Sequence, residues 1–169
     1  MKDHQWYELS ETNAVSSPAL LVYPKRIQYN AELMLQMAED PDRLRPHIKT
    51  HKMAEIIQIQ LQLGILKFKC ATLAEAELLA QSGAPDVLLA MQPVSVHLEN
   101  FTHLIATYPK TKFSTLIDNH QSHAEFKEAA LAKHLIIDVW LDINNGMDRT
   151  GIKPGNDAKN LYKSIYNEP

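Results

Sequence analysis

Apolar positions along this chain recur in two alternating rhythms, short runs that suit strands and longer stripes that suit helices. Residues 1–16 show no clear period and read as an N-terminal arm, after which Ser17–Tyr23 reads as a short strand. Pro24 suits the first turn of a helix striped by Ile27, Ala31, Leu33, Met34 and Met37, and Asp40-Pro41-Asp42 stops it. From Arg45 strands and helices alternate. Pro46 pushes Arg45 towards extended geometry and Ile48 and Thr50 favour a strand, so a strand is expected from Arg45 to about His51. Its helix carries Ile56, Ile57, Ile59, Leu61 and Leu63 before Gly64 closes it. Further strands are predicted at Lys67–Ala71, Asp86–Met91, Lys112–Ile117 and Ile136–Ile143. Thr72, with Glu75 three positions on, forms a capping box for a helix that Gly83 ends. Later helices are predicted over Val96–Thr107, from a cap at Asp118 to about Lys133, and over Ala158–Tyr166 beyond a long loop, Asn144–Gly155. Five parallel strands alternating with helices make the fold class α/β.

One stretch departs from this plain patterning. Arg45-Pro46-His47-Ile48-Lys49-Thr50-His51-Lys52 crowds cations and histidines onto the end of a predicted strand, where α/β proteins keep their chemistry. On alternation, Pro46, Ile48 and Thr50 share one face and His47, Lys49 and His51 the other. If that second face looks into a cleft, Lys49 is a half-buried amine among like charges, and both desolvation and repulsion favour its neutral, nucleophilic form. That is the state Schiff-base chemistry needs. The competing reading is a solvated basic turn. Two histidines at this spacing suit zinc only on a helix, so no metal is expected here. Lys52 reads as a solvated lysine at a helix start.

Composition narrows the choice further. The formal net charge is −3, which fits neither a nucleic-acid clamp nor a membrane-surface binder. A 45% hydrophobic content reads as a globular domain, and no apolar run approaches the roughly 20 residues of a membrane helix. The first residues lack the apolar core of a secretory signal, so a cytoplasmic location is expected. The single cysteine, Cys70, rules out an intrachain disulfide framework and reads as strand packing. Gln92 and Asp118 follow predicted strands and stand at the expected rim of a site, with bland alternatives as loop and cap residues. Arg149 lies in Asn144-Asn145-Gly146-Met147-Asp148-Arg149-Thr150-Gly151, where two glycines let backbone approach a ligand and Arg offers planar, multidentate donors. A structural ion pair to Asp142 or Asp148 is the alternative.

Arg-Pro-His-Ile-Lys-Thr-His-Lys resembles the signature of the D-threonine aldolase and D-serine dehydratase family, related to the alanine racemase N-terminal domain. Other stretches agree in order: Ser17-Pro18-Ala19-Leu20-Leu21-Val22, Lys69-Cys70-Ala71-Thr72-Leu73-Ala74-Glu75-Ala76-Glu77, Asp86-Val87-Leu88-Leu89-Ala90 and Gly146-Met147-Asp148-Arg149-Thr150-Gly151. The resemblance implies a fold type III pyridoxal-phosphate enzyme, built on a (β/α)8 barrel. A complete barrel takes about 250 residues, so about five units are expected here, with the C-terminal part missing. Residues 17–43 would supply the opening strand and helix and residues 44–169 the β/α units. By resemblance, Lys49 holds pyridoxal 5'-phosphate as an internal aldimine and Arg149 stands near its ring hydroxyl. His47 and His51, on the predicted Lys49 face, and Gln92, at a strand end, are the further candidate cofactor-binding residues, with capping or ordering of the turn the alternative for the histidines. The family's divalent metal, zinc or manganese, is held by a His-x-Cys or His-x-Asp pair near the C-terminus. No such pair follows Arg149, so no metal ligand is expected in this chain. The implied activity is D-threonine aldolase-like cleavage of a D-3-hydroxy amino acid to glycine and an aldehyde. D-serine dehydratase-like ammonia loss and racemisation are alternatives. A non-catalytic pyridoxal-phosphate homeostasis protein and an inactive truncated fragment are others. The implied partners are a small D-amino acid and a second subunit in a homodimer.

Overall fold

The computed structural model describes residues 5–9 and 11–167, so part of the expected arm, residues 1–4 and 10, lies outside the described residues. Four short strands build one sheet: β1 (Lys67–Cys70), β2 (Asp86–Leu89), β3 (Lys112–Ile117) and β4 (Asp138–Leu141). They are ordered β1-β2-β3-β4 and every pairing is parallel. Parallel neighbours need crossover helices, and the chain supplies α3 (Leu73–Gln81), α4 (Val96–Thr107) and α5 (His120–Lys133) between them. Before them come α1 (Pro24–Ala38) and α2 (Ala54–Gln62), and α6 (Asn156–Tyr166) follows β4. The architecture is that of successive units of a (β/α)8 barrel.

Alternation along the strands decides what faces what. Phe68 and Cys70 of β1, Val87 and Leu89 of β2, and Phe113 of β3 are buried with Ile57, Leu79 and Phe101 of the helices. Each such side chain contributes about 1.5–3 kcal/mol when fully buried. A second cluster, Leu98, Ile117, Phe126 and Leu161, fixes α4, α5 and α6 near the other end of the sheet. The intervening positions Lys69, Leu88, Ser114 and Trp140 turn to the opposite face. There, Arg45 makes two bonds to the Asp86 carboxylate, at 2.6 and 3.0 Å, and a third to the Phe68 carbonyl at 3.2 Å. Trp140 donates to Ser114 Oγ at 3.1 Å.

The helix boundaries follow the expected local chemistry in several places. Thr72 caps α3 by accepting the Glu75 amide at 3.2 Å. Gly64 and Gly83 close α2 and α3 with φ near +83° and +86°, which only glycine adopts cheaply.

Two expected strands take another form. The Arg45–His51 strand shrinks to one bridge, His47 beside Lys69, with the Lys69 amide bonded to the Pro46 carbonyl at 2.9 Å. Pro46 has no amide to extend the ladder, and His47 Nδ1 accepts the Lys49 amide at 3.2 Å, which curls Ile48–Thr50 into a 3₁₀ turn. Of the five expected strands, four are therefore formed. Ser17–Tyr23 is not a strand either. It has no ladder partner among the described residues, and Leu20, Leu21 and Val22 are exposed. Smaller differences lie further along. The last strand spans only Asp138–Leu141, with an added bridge from Ile143 to Ile152. The cap of α5 is Asn119, which accepts the Ser122 amide at 2.8 Å, and not Asp118.

Candidate active site at the carboxyl ends of the strands

The 3₁₀ turn at Ile48–Thr50 buries Ile48 completely in the core and leaves Lys49 exposed beside the end of β1. The expected half-buried amine is thus an exposed one, because a turn rotates Lys49 outward where a strand would have pointed it along the sheet face. Lys49 lines a cleft of about 330 Å³ at the carboxyl ends of the strands, with His47, Lys69, Gln92, Asp118, Asp142 and Arg149. Every βα junction from Pro46 to Thr150 reaches this cleft. The Lys49 amine and the Arg149 guanidinium have no hydrogen-bond or ion-pair partner among the described residues. Neither Asp142 nor Asp148 bridges Arg149. Gln92 Nε2 is buried and likewise without a partner.

His51 is not in this cleft. Its ring lines a larger hollow of about 940 Å³ between the arm, α1 and α2, with Trp6, Tyr23, Thr50 and Met53. Alternation fails here because the segment is a turn, so His47 and His51 no longer share a face. Both rings act on the local backbone: His51 Nδ1 accepts the Met53 amide at 3.2 Å, as His47 Nδ1 accepts that of Lys49. Both are held below their ordinary 6.5. For His47 the causes are burial, then the Lys49 and Lys69 charges, with Lys52 adding a little and Glu75 opposing. For His51 burial leads, opposed by Glu75 and the Met53 bond. A neutral ring that accepts at Nδ1 carries its proton on Nε2, so His47 is suited to holding the turn and donating, not to accepting a proton at Nε2.

Lys52 corrects another expectation. It is not a plain solvated lysine: its amine pairs with the Glu75 carboxylate, whose side chain is only 4% exposed. Glu75 also accepts the Ala71 amide at 2.7 Å, so its carboxylate ties the end of β1 rather than returning to the Thr72 amide. Burial pushes the Glu75 carboxyl up, but the Lys52 hydrogen bond, the Ala71 amide, the Lys52 charge and His47 together hold it below the usual range. Lys69 and Glu75 are the residues that patterning overlooked. The signal for Lys69 was present, since Lys67-Phe68-Lys69-Cys70 alternates charge with core.

The loop after β4 is built around Asn144. Its Oδ1 accepts the Gly146 and Asp148 amides at 3.1 and 3.2 Å, and its Nδ2 donates to Asp148 Oδ1 at 2.9 Å. Asp118 Oδ2 accepts the Gly151 amide at 3.1 Å and so draws the loop to the end of β3. Gly151 has φ +96°, and a Cβ there would stand 2.6 Å from the Asn144 nitrogen.

The family of the alanine racemase N-terminal domain matches residues 22–169. The chain belongs to this family. D-threonine aldolases are among the proteins that the chain resembles. The chain is 27% identical over 139 residues to a D-threonine aldolase of Arthrobacter sp., covering 82% of this chain and 36% of the relative. It is 25% identical over the same length to a D-threo-3-hydroxyaspartate dehydratase of Delftia sp. strain HT23, again covering 82% and 36%. The crystal structure of D-threonine aldolase from Filomicrobium marinum superposes with a TM-score of 0.82 at 30% identity, over 90% of this chain and 41% of that one. The chain thus spans about a third of the length of the curated relatives it matches.

Among the described residues no group of three His, Cys, Asp or Glu could hold a metal ion. No helix among them is long and apolar enough to cross a membrane.

Proposed function

We propose that this chain holds pyridoxal 5'-phosphate through Lys49 and belongs to a lyase that acts on D-3-hydroxy amino acids, cleaving them to glycine and an aldehyde. The observation that carries the reading is the cleft itself. An unpartnered lysine, an unpartnered arginine and an orphaned Gln92 amide meet at the carboxyl ends of parallel strands. The buried Gln92 Nε2 is costly without an acceptor, and a polar ligand in the cleft supplies one. The donor set therefore fits an anionic, carbonyl-bearing cofactor. Both curated relatives are named for lyase reactions of D-3-hydroxy amino acids.

When bound, the cofactor supplies an electron sink for charge developing at the substrate's α carbon. The chain's own residues bind and orient. The Lys49 amine would hold the group and would be the residue able to carry a proton in the cleft. Arg149 and Gln92 would donate hydrogen bonds to the group from two different junctions of the cleft. Asp118 and Asp142 set the Arg149 loop and add negative charge to the same wall. His47 keeps the turn in shape. Lys69 gives the cleft a further cation for an anionic ligand. A divalent metal, zinc or manganese, and a homodimer belong to this reading of the whole protein.

The test is reaction of the chain with pyridoxal phosphate, borohydride reduction and peptide mapping, beside Lys49→Ala and Arg149→Ala. The expected result is a reducible adduct on Lys49, absent from Lys49→Ala and weakened about tenfold or more in Arg149→Ala. An adduct on another lysine sinks the assignment. With D-threonine, glycine and acetaldehyde mark the aldolase, whereas ammonia and a 2-oxo acid mark a dehydratase. The dehydratase is the second reading because the Delftia enzyme matches over the same length at nearly equal identity.

A further inference from the structure

The Lys49 turn rests on a carboxylate that does not reach the cleft. Glu75 lies on the first turn of α3, with its side chain only 4% exposed, and accepts from two sources. One is the Ala71 amide, at the residue following β1. The other is the Lys52 amine, on a residue held at φ +50° directly after the 3₁₀ turn. Left-handed geometry is uncommon for a lysine and costs about 1 kcal/mol. The Lys52 amide bonds the Ile48 carbonyl at 2.8 Å, and the ion pair between its half-exposed amine and the buried Glu75 carboxylate holds the side chain. Removing the amine leaves a buried carboxylate with the Ala71 amide as its remaining donor, which is costly. Lys49 is three residues before Lys52 and Lys69 two before Ala71, so Glu75 ties together the two chain segments that bring cations into the cleft.

We propose that Glu75 is a positioning residue for Lys49: through Lys52 it fixes the 48–52 turn against the end of β1, and through its charge it offsets the cations around His47. This rests on the reading of Lys49 as the cofactor-holding lysine. The groups that face His47 are Lys49, Lys69, Glu75 and Lys52, and Glu75 alone among them favours its protonation. Around Glu75 itself stand Lys52, His47 and the Ala71 amide, with the Cys70 thiol close enough to feel its charge.

The two halves of the pair make opposite electrostatic predictions and one shared geometric prediction. Glu75→Gln removes the only charge that raises His47, so the His47 titration moves further down. Lys52→Gln removes a charge that lowers it, so the titration moves up. Both release the turn, and both slow formation of the reducible Lys49 adduct with pyridoxal phosphate, by up to about a hundredfold for a displacement on the order of an ångström. Lys52→Arg keeps the pair and restores the rate. The experiment is an NMR titration of His47 in each variant, together with adduct kinetics against pH, the adduct mapped by mass spectrometry. Opposite His47 shifts with two slowed rates establish the positioning role. Unchanged rates with the adduct still on Lys49 overturn it while leaving the cofactor reading intact. An adduct on a different lysine in the parent chain overturns the cofactor reading first. If Glu75→Gln does not fold, the half-exposed Lys52 decides: a Lys52→Gln variant with parental rate and parental His47 titration overturns the proposal.

Discussion

Two segments bring a cation to one cleft and hold it by different physics. The Lys49 turn is fastened by groups that titrate: the His47 and His51 rings, each capping a backbone amide, and the Glu75–Lys52 pair beneath them. The Arg149 loop is fastened by the Asn144 amide, by the Asp118 and Asp148 carboxylates and by close packing, with Gly151 lying against the backbone of Ile143 and Asn144. A ligand that needs both cations thus depends on two separate kinds of rigidity. The Lys49 side should respond to pH in the range where its histidines titrate, and the Arg149 side chiefly to side-chain size.

The largest effect expected from this contrast is at Gly151. An added Cβ meets Asn144 N at 2.6 Å and the Ile143 carbonyl carbon at 2.8 Å, both backbone atoms that cannot swing away, on a backbone at φ +96°. Clash and left-handed strain together put Gly151→Ala at about 3 kcal/mol of lost stability, read from the denaturant midpoint. Gly146→Ala is the matched control. It has φ +118° but open space around its Cβ, so only the backbone penalty of about 1 kcal/mol remains. Equal costs at the two positions would show that packing does not set this loop.

Acid is the corresponding test of the Lys49 side. His47 and His51 lie below 6.5 in the folded chain, so below 6.5 the unfolded chain binds more protons and stability falls as pH falls. Glu75 lies below its ordinary 4.5, so its contribution is present above 4.5 and is lost as pH drops through the folded value. Stability measured by denaturant should decline first below pH 6.5 and again below 4.5, and a His47→Gln, His51→Gln double variant should flatten the first step. A first step that survives in that variant would assign it to other groups. The pH response of Gly151→Ala should parallel that of the parent, because its defect involves no proton.

Patterning reached the fold because the fold is mostly period. Phe68, Val87 and Phe113 lie in strands that the apolar runs predict, and Thr72, Gly64 and Gly83 close elements by local rules that need no partner. It failed where a residue's role depends on a distant group. The expected strand at Arg45–His51 ignored that Pro46 gives the ladder no donor and that His47 can cap its own turn. Glu75 read only as half of a capping box, since nothing local reveals that Lys52, 23 positions earlier, lies against it. Asp118 read as a helix cap, but its carboxylate turns instead to Gly151, 33 residues away. The Lys49–Arg149 meeting is likewise long-range, yet both residues were legible, Arg149 from its paired glycines and Lys49 from an unusual local density of cations.

The smallest effect, and the sharpest local one, is at Asn144. Its side chain accepts two loop amides and donates to Asp148, all within an exposed stretch where water can replace a lost partner. Asn144→Ala should therefore cost only about 1 kcal/mol globally. The loss should be concentrated in space. Amide hydrogen exchange should quicken at Gly146 and Asp148, whose donors lose their acceptor, while Lys49 and Met53, capped by His47 and His51, keep the parental protection. Because Asp118 still draws in Gly151 and Ile152 still pairs with Asp142 and Asn144 through the backbone, the loop's far end should stay closed and only its tip loosen. Cofactor affinity should then drop by a smaller factor than in Arg149→Ala and with no change in pH dependence. If exchange quickened equally at Lys49 and Met53, the two segments would be one cooperative unit, and the separate fastenings argued above would collapse into a single one.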